Sequence, residues 1–197
     1  MKKTIKNLAM AFIGESQARN RYDFYAKQAK KEGFVQIGNI FAETANQESQ
    51  HAKWIMRMIN QLKEEGGESD INLEEIEVSA GCPTVFGETI ENLKSAIEGE
   101  NHEHSSMYPE FASTAEEEGY SDIAARLRAI AEAEMHHEER YKKALKELEN
   151  NTVFEKEEDV TWYCLVCGRE HTGKKPPEKC PSCDHPKDHF QIKCEVY

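Results

Sequence analysis

The sequence predicts an all-α four-helix bundle with one long crossover connection, followed by a small domain stapled by metal. Three observations predict it. Residues 1–150 are rich in Ala, Glu, Lys, Leu and Arg and hold almost no β-branched runs, a composition that favours helices. The breaks in that stretch are unequal: short turns at Gly33 and Gly119, and one polar connection over residues 65–87. Finally, four of the six cysteines form two Cys-x2-Cys pairs between residues 164 and 183.

The elements follow in order. Thr4 is a candidate N-cap for a first helix that ends near "KKEGF", where Gly33 supplies a stop. A second helix runs from Val35 or Gln36 to "LKEEGG". The long connection then carries Gly66, Gly67, Gly81 and Pro83. A third helix spans Glu88 to "EEEGY", with Pro109 expected to bend it. The fourth starts at the capping pair Ser121-Asp122 and fades near Asn150-Asn151. Short turns make helices 1 and 2, and helices 3 and 4, antiparallel neighbours. A connection of about twenty residues is long for a compact domain and can carry the chain back along the bundle, making helices 2 and 3 parallel. One long crossover is the ferritin-like arrangement. Residues 151–160, "NTVFEKEEDV", read as an acidic linker, and residues 161–197 are too few to build a core unaided.

Composition excludes some functions. The chain carries 25 Lys+Arg against 37 Asp+Glu, a formal charge of −12, so nucleic acid and anionic membranes are not expected partners. No apolar run approaches the ~20 residues that span a bilayer. The opening "MKKTIKNLAMAFIGES" is too mixed and too quickly polar to read as a secretory signal. The expectation is a cytoplasmic protein whose cysteines are thiols or metal ligands rather than disulfides.

The stretch "AEAEMHHEERY", residues 131–141, crowds four glutamates and two histidines together. At about 100° per residue, the apolar stripe of helix 4 is Ile123, Leu127, Ile130, Tyr141, Leu145 and Leu148. Glu134 and His137 lie in that stripe, Glu132, His136 and Glu139 lie opposite, and Glu138 lies at its edge. Two of the six are therefore expected to be buried. The other helices behave alike. Glu15 sits among Leu8, Phe12, Tyr22 and Ala26; Glu48 and His51 sit among Ile37, Phe41, Ile55, Ile59 and Leu62. Glu100 and Glu103 sit among Ile90, Leu93, Ile97, Met107 and Phe111.

A buried carboxylate is costly unless it is protonated, paired or bound to metal. Arg19 is the one obvious cation on a stripe, set against five carboxylates, and two divalent cations would neutralise most of that charge. Carboxylate and imidazole donors suit iron or manganese. "ESQH" and "EMHH" both spell Glu-x-x-His, and helices 1 and 3 add Glu15 and Glu100. One Glu from each of two helices plus Glu-x-x-His from the other two is the di-iron or di-manganese carboxylate pattern. Taken singly, a Glu or His on a stripe is more often merely tucked in; agreement among four helices carries the reading. His102, His104 and His136 read as surface histidines.

In the tail, Cys164, Cys167, Cys180 and Cys183 form Cys-x2-Cys-x12-Cys-x2-Cys. Four thiolates arranged tetrahedrally suit zinc or iron. The alternatives are a structural zinc ribbon and a single redox iron of the rubredoxin kind, and a neighbouring di-metal site that consumes electrons favours iron. Gly168, and the proline between Cys180 and Ser182, suit tight turns whose amides point at sulfur.

Over essentially its whole length the sequence resembles the rubrerythrins. The carriers are "GESQARNRY", "ESQH", "EGENHEHSSMYPEF", "EMHHEERY" and a tail "CLVCG…CPSCDHPKDHF" similar to that family's β-rich rubredoxin-like module. The resemblance implies a non-haem peroxidase that reduces hydrogen peroxide to water, with two irons in the bundle and one in the tail. Carried over, Glu15 and Glu100 are terminal ligands to one iron each, Glu48 and Glu134 are bridges, and His137 is a terminal ligand. Glu103 and His51 are an exchangeable pair, one iron moving between them. Tyr22 and Tyr108 hydrogen-bond near the carboxylates. The implied partners are hydrogen peroxide, an electron-donating reductase or rubredoxin, and a second copy of the chain paired head to tail, or a higher homo-oligomer. Two features depart from the family: the connection between helices 2 and 3 is longer and contains Cys82, and Cys194 is extra. The rival readings are a ferritin-like ferroxidase or iron-storage protein, for which the four-cysteine tail has no use, and a non-enzymatic zinc-ribbon interaction protein, for which the buried glutamates have none.

Overall fold

The computed structural model describes residues 2–65 and 74–194. Helix α1 spans Lys3–Lys31 and α2 spans Val35–Glu65. The third helix of the sequence is divided into α3 (Thr89–His102), a π-turn (Glu103–Met107) and α4 (Tyr108–Glu117). The bundle closes with α5 (Ser121–Glu149). The expected glycines Gly66 and Gly67 lie outside the described residues.

Gly33 ends α1 with a φ of 88°, a left-handed value that costs glycine little. Two contacts fix direction around the bundle. The amides of Lys3 and Thr4, at the start of α1, donate to Glu118 at the end of α4. At the other end, the amide of Thr89 at the start of α3 donates to Glu32 just past α1. So α1 runs antiparallel to α3–α4, and α2, which doubles back on α1, runs parallel to them. The crossover is tied down where the Tyr25 hydroxyl donates to the carbonyl of Val85 at 2.6 Å.

Helix ends correct two expectations. Thr4 is not the cap of α1; it is buried in the first turn, and the carboxylate of Glu118 satisfies the free amides from across the bundle. Likewise Tyr120, not Ser121, precedes α5, and the Ser121 hydroxyl donates to Glu116 instead.

Helix 3 departs most from its expected form. The amide of Tyr108 bonds to the carbonyl of Glu103, five residues back, which opens the ring of a π-turn. One extra residue per turn shifts the helix face. An unbroken α-helix would continue the inward stripe from Glu103 to Met107; here Met107 is half-buried and Tyr108 is fully buried. Pro109, expected as the cause of a bend, stands exposed in the first turn of α4, where an absent N–H is tolerated. The irregularity begins at Glu103 itself, not beyond it.

Two apolar clusters hold the helices together. At one end lie Ile5, Leu8, Ile55, Ile59, Phe111 and Leu127. At the other lie Tyr22, Tyr25, Phe41, Leu93, Tyr141 and Leu148. On every long helix the site glutamates fall between the two clusters, at a shared polar waist.

The tail adds a three-stranded antiparallel sheet in the order β2-β1-β3: β1 Val160–Cys164, β2 Glu170–Gly173 and β3 Phe190–Ile192. Val160 belongs to β1, so the linker stops one residue earlier than expected. Trp162, Phe190, Cys164 and Cys180 form the small core, with the Trp162 indole donating to the Gly173 carbonyl. No helix among the described residues is long and apolar enough to cross a membrane.

Candidate metal centres

Each long helix carries its donors on the face that the apolar stripe turns inward, so burial of the stripe buries them too. Glu15, Glu48, His51 and Glu134 bring donor atoms within 4.8 Å of one another, and Glu48, Glu100, Glu134 and His137 form a second such group. Glu48 and Glu134 belong to both. Each group thus holds one Glu of its own, one His of its own and the two shared carboxylates. His51 Nδ1 lies 2.8 Å from Glu134, 3.0 Å from Glu48 and 3.6 Å from Glu15. His137 Nδ1 lies 2.7 Å from Glu134, 3.1 Å from Glu48 and 3.6 Å from Glu100.

The electrostatics show what the groups lack. Burial pushes the Glu15 carboxyl up to about 7 against the opposing pull of nearby His51, and the negative charge of Glu48 adds to the rise. Burial also holds Glu100 and Glu103 well above the ordinary carboxylate value. Burial alone disfavours charged histidines, yet Glu134, Glu15 and Glu48 hold His51 far above its usual pKa. Glu100, Glu134 and Glu48 do the same for His137, to about 12. Among the described residues, no lysine or arginine pairs with Glu15, Glu48, Glu100 or Glu134.

A metal fits this arrangement on one direct observation. Glu15 Oε2, Glu48 Oε1, Glu100 Oε2, both Glu134 oxygens and His137 Nδ1 are buried without a hydrogen-bond partner. Unpaired as they are, they stand within 4.8 Å of one another in the two donor groups. Buried polar atoms left unpaired are costly, and a cation in each group satisfies all of them. Carboxylate-rich sets with one imidazole apiece are donors for iron or manganese.

Glu103 stands outside both groups. It is 9% exposed, whereas Glu15, Glu48, Glu100 and Glu134 are at 1% or less. Behind the donors, the Tyr22 hydroxyl donates to Glu100 at 2.7 Å, and the Tyr108 hydroxyl donates to Glu15. The carboxylates of Glu100 and Glu15 are therefore each oriented by a tyrosine from another helix.

Sequence reasoning missed three residues here. Glu138, placed at the stripe edge, is buried, held by His104 at 3.3 Å and Lys142 at 2.8 Å. His104 is thus half-buried and paired rather than a free surface histidine, while His102 and His136 are exposed as expected. Arg19 is exposed; the guanidinium turned inward is that of Arg21, one residue before Tyr22. The π-turn accounts for His104, since it rotates that position toward α5. For Arg21 the signal was its place beside a stripe residue.

The tail site is built from two matching knuckles. Gly168 N–H donates to the Cys164 carbonyl at 2.9 Å, and Asp184 N–H donates to the Cys180 carbonyl at 2.8 Å. Both Gly168 and Asp184 take left-handed φ values, 75° and 58°. Cys164 and Cys183 sulfurs stand 3.8 Å apart, and those of Cys167 and Cys180 stand 3.6 Å apart. A tetrahedron with metal–sulfur bonds of about 2.3 Å has edges of about 3.8 Å, so the four sulfurs fit one ion. Cys180 is lowered to about 6: its burial opposes this, and the amides of Ser182 and Cys183 outweigh it. The Cys167 sulfur accepts from the Arg169 amide and that of Cys183 from the His185 amide. Cys167 is exposed, whereas Cys164 and Cys180 are buried. Cys82 and Cys194 are exposed and do not belong to this cluster.

Comparison with known proteins agrees with both centres. Residues 6–145 match the family described as Rubrerythrin, and residues 162–191 match the description Rubrerythrin, rubredoxin-like domain. A putative rubrerythrin of Methanocaldococcus jannaschii is 56% identical over 199 residues, covering 100% of this chain and 96% of the relative. Rubrerythrin-1 of Clostridium acetobutylicum is 48% identical, covering 99% of this chain and 96% of its own. The solved mixed-valence state of nigerythrin is similar with a TM-score of 0.62 at 32% identity, covering 98% of this chain and 88% of that one. Another nigerythrin structure holds that protein fully reduced and all ferrous. The chain belongs to the rubrerythrin family, and its two sets of donors are a di-iron carboxylate–histidine site and a rubredoxin-like four-cysteine site.

Proposed function

We propose that the chain is a non-haem peroxidase that reduces hydrogen peroxide to water in the bundle, refilled with electrons through the four-cysteine site. The observation that carries the reading is the sharing of Glu48 and Glu134 between two donor groups, which holds two ions side by side. When bound, two ferrous ions supply the two electrons that cleave an O–O bond, one from each.

The chain's own residues do the rest. Glu48 and Glu134 fix the spacing, and Glu15 and Glu100 are locked by Tyr108 and Tyr22. Glu103, at 9% exposure the least buried of the five carboxylates, carries protons between water and the site and exchanges with His51 as a ligand. The two apolar clusters exclude bulk water from either end.

Electrons enter at the exposed edge of the tail site, Cys167, from a reductase or rubredoxin. Pairing of two chains head to tail, in the cytoplasm, completes the reading. In support, Ile192 of the tail lies beside Gln36 and Ile37 at the start of α2. Glu48 is twelve residues further along, about 18 Å of helix. The tail of a second chain is then the better donor.

The test is anaerobic. Iron-loaded protein should show a red four-sulfur ferric spectrum that a reductant bleaches and hydrogen peroxide restores. Zinc in the tail, with no peroxide-driven reoxidation, would sink the proposal.

A further inference from the structure

We infer that a cleft beside Glu103 binds organic hydroperoxides and presents their O–O group to the bundle site, extending the substrate class beyond hydrogen peroxide. The inference rests on the peroxidase reading above. The cleft measures about 570 Å³ and lies between α1 and the α3–π-turn segment, under residues 79–83 of the crossover. Hydrogen peroxide needs little more room than a water, whose share of liquid volume is about 30 Å³. A cleft this size matches a small organic ligand.

Its chemistry is divided as such a ligand requires. Met10, Met107 and Phe111 offer an apolar wall for a hydrocarbon tail. Arg21 and Glu103 line the polar part. Arg21 Nε and Nη1 are buried and have no acceptor among the described residues, so the guanidinium is ready to donate to a hydroperoxide oxygen. Glycines keep that floor open. A Cβ on Gly99 would stand 3.7 Å from Arg21 Nη2, and one on Gly14 would stand 3.9 Å from Glu103 Oε1. Any larger side chain at these positions would fill the space beside both polar groups.

The reaction balances as ROOH + 2 H⁺ + 2 e⁻ → ROH + H₂O. The O–O bond breaks, the electrons come from the two ferrous ions of the loaded bundle, and the protons come from solvent by way of Glu103. The products are an alcohol and water.

Cys82 also lines the cleft and supplies a readout independent of turnover. Iron-loaded full-length protein is alkylated with iodoacetamide, with and without cumyl alcohol, the product of cumene hydroperoxide. Peptide mass spectrometry then follows Cys82, with exposed Cys194 as the internal control. The alcohol should slow alkylation of Cys82 severalfold and leave Cys194 unchanged. Ala80→Trp and Gln17→Trp, two cleft residues on separate segments, should each abolish that protection. Each should also lower the ratio of kcat/KM for cumene hydroperoxide over hydrogen peroxide by about tenfold or more. No protection of Cys82, or an unchanged ratio in both folded variants, overturns the cleft. Turnover of hydrogen peroxide without turnover of cumene hydroperoxide overturns the cleft alone. Failure of both substrates overturns the peroxidase reading with it.

Discussion

The hydroxyl of Tyr22 on α1 donates to Glu100 on α3 at 2.7 Å, and neither residue has measurable exposure. Tyr108 on α4 and Glu15 on α1 repeat the relationship in the opposite sense. Each tyrosine holds one donor carboxylate in one orientation, so the donor groups are prepared before any ion arrives. Tyr22→Phe removes this support while keeping the ring in its aromatic cluster. Metal affinity of the bundle should fall by about 10- to 100-fold, read by competition with a chelator, with the tail's colour unchanged.

Glu134 serves both donor groups, whereas Glu132 on the same helix is exposed. Glu134→Ala should lose bundle iron and keep the red tail. Glu132→Ala should keep both, as read by iron analysis and visible absorption. The reverse result would mean that α5 faces the other way.

Stability of the metal-free bundle should fall as pH rises. The Glu15 pKa is raised from 4.5 to about 7, so the folded state holds its proton more tightly than the unfolded state does. That contribution is fully present below 4.5 and is lost as pH rises through about 7. The raised histidines act with the same sign at higher pH. Removing metal by chelation should therefore lower Tm progressively between pH 4.5 and 7. Ferrous or manganous ion should remove that trend, because metal displaces the protons. A flat profile in the metal-free protein would contradict the burial of Glu15.

Glu118 accepts from two free amides at the start of α1. Glu118→Ala should cost about 1 kcal/mol, comparable to loss of a helix cap. For a chain of this size that lowers Tm by about 2–4 °C in thermal melting, with metal content unaffected.

Much of the bundle was legible because its ligands share a period with its core. Glu15, Glu48, Glu134 and His137 could be picked out by counting from Leu8, Ile55 and Leu127, and Gly33 marked a turn by its backbone freedom alone. The two knuckles were legible from four cysteines. What could not be read depended on distant partners. Thr4 looked like a cap because its true partner, Glu118, lies far along the chain. Arg19 read as the cation on the stripe, yet packing turns Arg21 inward and leaves Arg19 exposed. The π-turn at "EHSSM" carries no residue that demands it, so periodicity carried the stripe on to Met107 where the structure buries Tyr108. Glu138 paired inward because the same turn brought His104 within reach.

The polar waist has a mechanical consequence. Two hydrophobic clusters grip the helices above and below the donors like the jaws of a vice, and the donors meet only if both jaws close in phase. A helix slipping by a single residue moves its ligand about 1.5 Å along the axis and about 100° around it. Metal affinity in this bundle is therefore a property of whole helix lengths. A cavity cut at Phe41 or Leu127, with no contact to any ion, loosens the grip on both.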